Sequence, residues 1–193
     1  MSFFRVLLVS TWVVALHSLS AVQAADRTAA PKKKVSANAV SLRVSSWNGV
    51  QKLVRSHKGK LVVVNIWTTT CAVCVEELPK FVRLQKEYGK KKLACISVNC
   101  DYDGIKDKPP KFYRQDVVAL LKKNGATFEN LMLNIAFIDF LEQIDLGSTP
   151  SLLVYGRDGK LVKRFDNDDA EKIEDEFSIK DVKQLIEKLL EQR

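Results

Sequence analysis

Gly59-Lys60-Leu61-Val62-Val63-Val64-Asn65-Ile66-Trp67-Thr68-Thr69-Thr70-Cys71-Ala72-Val73-Cys74-Val75-Glu76-Glu77-Leu78-Pro79 is the stretch on which the fold turns. Its first part, Leu61 to Trp67, is a nearly continuous β-branched and apolar run, the composition of a strand covered on both faces. Such a strand belongs in the middle of a sheet. Two cysteines with two residues between them follow almost at once. From Cys71 to about Tyr88 the sequence then reads as a helix burying Val75, Leu78, Val82 and Leu84. The stretch is therefore a buried strand, a short turn, and a helix that opens on a cysteine pair.

Outward from this unit, Leu93 to Val98 is a second buried strand and Tyr113 to Lys123 a second helix with Val117, Val118, Leu120 and Leu121 on its apolar side. Phe128 to Leu133 has no decisive period. Ile135 to Ile144 reads as a short helix. Ser151 to Tyr155 and Leu161 to Phe165 read as strands joined across Arg157-Asp158-Gly159-Lys160, with Asp-Gly marking the hairpin. The chain closes on an amphipathic helix from about Ile179, with Ser178 as N-cap and Asp181 three residues on. Alternating strands and helices predict an α/β domain over residues 39–193, a central mixed sheet covered by helices, with an insertion near Asp101 to Leu133.

The cysteine pair carries the chemistry. A helix N-terminus offers unpaired N–H groups and the positive end of the macrodipole, which favour a thiolate. Cys71 is thus the expected nucleophile. Cys74 lies one turn along, close enough to attack the Cys71 sulfur and resolve a mixed disulfide. No cofactor is implied, because the dithiol itself holds the two electrons.

With Gly59 to Pro79 on the page, the sequence resembles the thioredoxin superfamily, and within it the exported TlpA-like thiol-disulfide oxidoreductases. Gly147-Ser148-Thr149-Pro150-Ser151-Leu152-Leu153-Val154 looks like the second signature of that family, and the resemblance covers about residues 40–193. It implies that Pro150 is a cis-proline facing the cysteines and that the Thr149 backbone pairs with an extended client. Pro79 matches the proline that kinks the active-site helix. Glu77 matches a buried acid beside the cysteines, a desolvated carboxyl that exchanges a proton with Cys74. Asn65 stands where cytoplasmic thioredoxins carry a buried aspartate. One position departs: Thr70 occupies the place of the usual tryptophan before the first cysteine, while Trp67 is retained. Trp67, Thr70, Thr149 and Pro150 are the expected client-binding residues, and Cys71, Cys74 and Glu77 the expected catalytic ones.

Residues 1–24 read as a secretory signal: Arg5 in a short n-region, an apolar run from Val6 to Leu16, and Val22-Gln23-Ala24 before the expected cleavage. An uncleaved anchor is the competing reading. Ala25 to Asn38, with Pro31 and three lysines, reads as a disordered linker. This places the domain outside the cytoplasm, periplasmic or secreted. The formal net charge of +8 lies in short runs such as Lys32-Lys33-Lys34 and Lys90-Lys91-Lys92, without aromatic interleaving or a nucleic-acid motif. These are solvated faces rather than a nucleic-acid groove, and they leave transient attraction to an anionic membrane surface open.

Cys95 and Cys100 stand an odd five residues apart and point to opposite sheet faces if the strand continues. Cys95 reads as a small buried residue. Cys100 falls at the carboxyl edge of its strand, where a second redox role or an exposed thiol is conceivable. A structural zinc held by Cys71, Cys74, Cys95 and Cys100 is an alternative of a different class, disfavoured because the second pair diverges. A peroxidase would use Thr68 three residues before Cys71, but Val64 stands where that motif needs proline. His57, in an apparent loop, reads as a surface residue. The expected reaction is dithiol-disulfide exchange with protein substrates, in the reducing direction, which requires an electron donor across the membrane. An oxidase or isomerase is the alternative, since direction depends on reduction potential.

Overall fold

The computed structural model describes residues 39–172 and 175–192. The signal segment and the linker expected at the N-terminus lie outside the described residues. Among those described, the order is β1 (Arg43–Ser45), α1 (Trp47–Ser56), β2 (Leu61–Trp67), α2 (Ala72–Lys92), β3 (Leu93–Asn99), α3 (Pro110–Asn124), β4 (Glu129–Leu133), α4 (Phe137–Ile144), β5 (Ser151–Tyr155), β6 (Leu161–Phe165) and α5 (Ile179–Glu191). None of these helices is long and apolar enough to cross a membrane.

The strands form one six-stranded sheet in the order β1-β4-β3-β2-β5-β6. β1, β4, β3 and β2 run parallel, and β5 pairs antiparallel with both β2 and β6. This is the mixed sheet expected from the alternating pattern. β2 and β3 are buried at every position, which explains why neither shows an apolar-polar alternation. Alternate side chains still go to opposite faces. Val62, Val64, Ile66, Ile96 and Val98 pack under α1 and α4 with Trp47, Val50 and Phe140. Leu61, Val63, Leu93 and Cys95 pack with Phe81 and Leu84 of α2 and Val182 and Ile186 of α5. Further along that second face, Trp67 and Met132 meet Cys74, Leu78 and Val82 of α2 and Leu121 of α3.

The ambiguous segment is strand β4, between β1 and β3. Its pattern is obscured by Asn130, a buried amide whose Nδ2 donates to the carbonyls of Ser41, Ala126 and Phe128 at 2.9–3.0 Å. Tying three backbone segments together makes a polar residue useful at a core position. The expected insertion therefore supplies an inner strand of the sheet. α2 turns out of helical geometry at Gly89, whose φ of 71° lies in the left-handed region, close to the helix end read from the sequence. Val75, expected in the core, is only half-buried, because the buried stripe passes through Cys74, Leu78, Phe81 and Val82. At α5, Asp181 accepts from the Ser178 N–H at 2.8 Å and from its hydroxyl at 2.7 Å, fixing the start of the helix.

Candidate functional site

The carboxyl ends of β2 and β3 and the start of β5 meet around the cysteine pair. Cys71 is the N-cap of α2, in extended backbone geometry (φ −85°, ψ 106°), and its Sγ accepts from the Cys74 N–H at 3.1 Å. Its position at the head of the helix follows from the sequence: the buried run ends at Thr68, and the next turn must leave the sheet. Cys71 and Cys74 are joined as a disulfide, with Cα atoms 5.2 Å apart. Cys74 is 1% exposed and packs among Trp67, Leu78 and Val82, whereas Cys71 is half-buried at the mouth of the site. The more exposed cysteine of the pair is thus the one at the helix end, where an N–H donor and the macrodipole stabilise a thiolate.

Thr149 and Pro150 come against this sulfur from the other side. Their peptide bond is cis, Pro150 is buried, and the Thr149 carbonyl oxygen stands 3.5 Å from Cys71 Sγ. Thr70 is exposed beside the cysteine, its Oγ1 3.3 Å from that of Thr68. Trp67 requires a correction. Expected among the client-binding residues, it is fully buried, and its Nε1 donates to Ser97 Oγ at 2.7 Å. It lies inside the core because it ends a strand with both faces covered, and it can affect docking only by supporting the turn above it. Glu77 is also placed differently from expectation. It is not a lone desolvated acid: its side chain keeps 24% exposure, and Lys80, one turn on, donates to its Oε1 at 2.5 Å. That hydrogen bond holds the Lys80 ammonium above its ordinary value.

Residue-by-residue reading of the sequence missed Asp101. It follows β3, and its carboxylate accepts three bonds: from the Thr69 backbone N–H at 2.7 Å, the Thr69 hydroxyl at 2.7 Å and Asn99 Nδ2 at 3.0 Å. Thr69 is two residues before Cys71, so Asp101 clamps the turn that leads into Cys71. The signal available was its place at the carboxyl end of a buried strand, where sites of α/β sheets gather. A cavity of about 250 Å³ opens beside this turn, lined by Thr68, Thr70, Cys100, Asp101, Asp103 and Tyr113 among others. The Tyr113 hydroxyl donates to Asp103 at 2.6 Å and holds that carboxyl below its ordinary value.

Cys95 and Cys100 lie in different halves of the core, on opposite faces of the sheet. The four cysteines do not converge, so the zinc reading has no geometric basis here. Both free thiols are buried, at 2% and 1% exposure, and burial pushes both upward, away from the thiolate. Cys100 is not an exposed thiol.

A strand-turn-helix with a cysteine pair at the helix head and a cis-proline opposite can accept attack by a thiol held between the two when oxidised, and can attack a disulfide held there when reduced. A family model described as Redoxin matches residues 32–185. The chain belongs to the Redoxin family. Over 52 residues, 27% of the chain, it is 42% identical to a thioredoxin-like protein, YneN, of Bacillus subtilis (strain 168), a match that spans 30% of that relative. Among solved structures it is similar to a thiol-disulfide isomerase from Corynebacterium glutamicum, with 17% identity and a TM-score of 0.58 over 82% of this chain and 99% of that one. It is likewise similar to a secreted disulfide oxidoreductase of Mycobacterium tuberculosis, with 18% identity and a TM-score of 0.50 over 69% and 85%. At these identities the two structures speak for the thioredoxin-like fold. Within the span that matches the Redoxin family, Cys71 and Cys74 form the disulfide at the head of α2.

Proposed function

We propose that the protein is an extracytoplasmic reductase of protein disulfides, of the TlpA-like kind. The observation that carries the reading is Cys71 at the N-cap of α2, accepting from the Cys74 N–H at 3.1 Å and facing the Thr149 carbonyl at 3.5 Å. In the reduced protein the Cys71 thiolate attacks one sulfur of a client disulfide, and the other client sulfur leaves as a thiolate. Cys74, deprotonated, then attacks Cys71 Sγ, releasing the second client thiolate and forming the Cys71–Cys74 disulfide. Two electrons and, once the client thiolates are protonated, two protons have passed to the client.

Thr149, next to the half-buried sulfur, offers backbone groups for an extended client segment, which aligns its sulfur with Cys71. The helix end stabilises the Cys71 thiolate and so makes it a good leaving group when Cys74 attacks. Glu77, within the first turns of α2 and paired with Lys80, is the carboxylate proposed to relay the Cys74 proton. Re-reduction requires an electron donor, proposed to be membrane-borne because an oxidising compartment supplies none in solution. The apolar run from Val6 to Leu16 supports export.

The deciding measurement is the equilibrium potential of the Cys71/Cys74 couple against glutathione. A value near about −270 mV supports the reductase, and one near about −120 mV replaces it with an oxidase. Mass spectrometry of the mature N-terminus in cell fractions tests export: a chain beginning after Ala24 outside the cytoplasm is expected, and an intact cytoplasmic chain would reject the location.

A further inference from the structure

Asp168 lies just beyond β6 and reaches back to the turn in front of Pro150. Its Oδ2 accepts from the Gly147 N–H at 2.8 Å, and its Oδ1 accepts from the Ser148 hydroxyl at 3.4 Å. A Cβ on residue 147 would stand 2.8 Å from Asp168 Oδ1, so glycine is what allows the carboxylate to close on the backbone. Arg164 of β6 reinforces this grip. Its Nη1 donates to the carbonyls of Asp145 at 2.5 Å and Ile144 at 3.4 Å, its Nε to Asp166 at 2.5 Å, and its Nη2 stands 3.8 Å from Asp168 Oδ2. These side chains are only 32%, 14% and 21% exposed for Arg164, Asp166 and Asp168, so their charge-assisted bonds are shielded from full solvent screening. The whole segment from Ile144 to Ser148 is thereby tied to the end of β6, and Thr149 is the next residue.

We propose that Asp168, held by Arg164, is a positioning residue for client docking: it sets affinity for polypeptide substrates and not the reactivity of Cys71. The inference rests on the reading that the Thr149 backbone pairs with an extended client. Pairing by strand addition needs the receiving backbone already held in place, since a turn that must be ordered on binding takes that cost out of affinity. The groups proposed to set Cys71 reactivity are elsewhere, at the α2 terminus and at Asp101, which holds Thr69. The sequence hid this relationship because Gly147 and Asp168 are separated by a hairpin and meet only through the β5–β6 pairing.

The test uses the purified, fully reduced protein with three oxidants: a disulfide-linked peptide, the same peptide N-methylated at the residues flanking its cysteine, and the small disulfide 5,5′-dithiobis(2-nitrobenzoate). In the wild type, N-methylation is expected to raise KM, because methylated amides cannot pair. Asp168→Ala should raise KM for the unmethylated peptide about five- to tenfold, the loss of one or two charge-assisted bonds. It should leave KM for the methylated peptide and the rate with the small disulfide within twofold of wild type, roughly the resolution of the comparison. Asp168→Asn, which keeps an acceptor for Gly147, should recover most of the loss and guards against misfolding of the alanine variant. An N-methylation penalty with no KM change in either variant overturns the role of Asp168 and leaves the docking reading standing. An equal loss with the small disulfide also overturns it. If N-methylation has no effect on the wild type, the docking reading itself falls and the proposal with it.

Discussion

Cys71 Sγ and the Thr149 carbonyl oxygen stand 3.5 Å apart across 78 residues of chain. A helix head and a strand entrance are joined at this point. Each side of the contact is anchored by a carboxylate: Asp101 takes the Thr69 N–H at 2.7 Å, and Asp168 takes the Gly147 N–H at 2.8 Å.

The exposure difference between the two sulfurs gives the first prediction. Cys71→Ser should abolish reduction of insulin disulfides, whereas Cys74→Ser should still attack and then stall, accumulating mixed disulfides visible on a non-reducing gel. Turnover retained in both variants would reject the dithiol mechanism.

Asp101 should affect the nucleophile itself. Asp101→Ala removes three accepted bonds and is expected to slow Cys71 with both peptide and small disulfides by about tenfold, a loss of roughly 1.4 kcal/mol. A double-mutant cycle with Thr69→Val should show coupling of about 0.5–3 kcal/mol in the activation free energy, because the hydroxyl that the variant removes donates to Asp101. Additive effects would place the contribution of Asp101 elsewhere.

Glu77 is half-buried and bound to Lys80. Glu77→Gln is expected to slow exchange without unfolding the protein and to change the pH dependence of the resolving step, read by stopped-flow between pH 5 and 9. An unchanged pH profile would remove the proton role and leave Glu77 as the partner of Lys80.

His57 gives a pH dependence of stability. Among the described residues its buried ring Nε2 has no hydrogen-bond partner, and burial, then the Lys60 charge, hold its pKa below the ordinary 6.5, against a smaller opposing effect of Glu129. The unfolded chain therefore binds a proton that the folded chain binds less readily. Stability from this group is fully present above pH 6.5 and falls as the pH drops from there through the lower folded value. Urea unfolding of wild type between pH 7.5 and 5 should show this decline, and His57→Gln should flatten it. Parallel curves for the two proteins would contradict the assignment.

Much of the molecule is legible in the sequence. The continuous apolar runs at Leu61–Trp67 and Leu93–Val98, the Asp-Gly hairpin and the capped helix after Ser178 correspond to observed elements, because period and cap chemistry are local properties. β4 escaped a firm reading because Asn130, with three carbonyl partners, breaks the apolar pattern of an inner strand. At the site, the positions of Cys71 and Cys74 followed from their place after a buried strand. The expectation for Trp67 failed because local pattern does not say which side of a sheet's end a large ring turns to.

The sequence by itself determined the elements from Leu61 onward, β4 excepted, and put a thiol pair at the head of a helix, since both depend on residues close in the chain. Only the tertiary structure decided what surrounds that pair: Thr149 at 3.5 Å, Asp101 on Thr69, Asp168 on Gly147, and Cys95 and Cys100 in opposite halves of the core. Those relationships cross between strands, and their partners are chosen by sheet order and register, which no local pattern encodes.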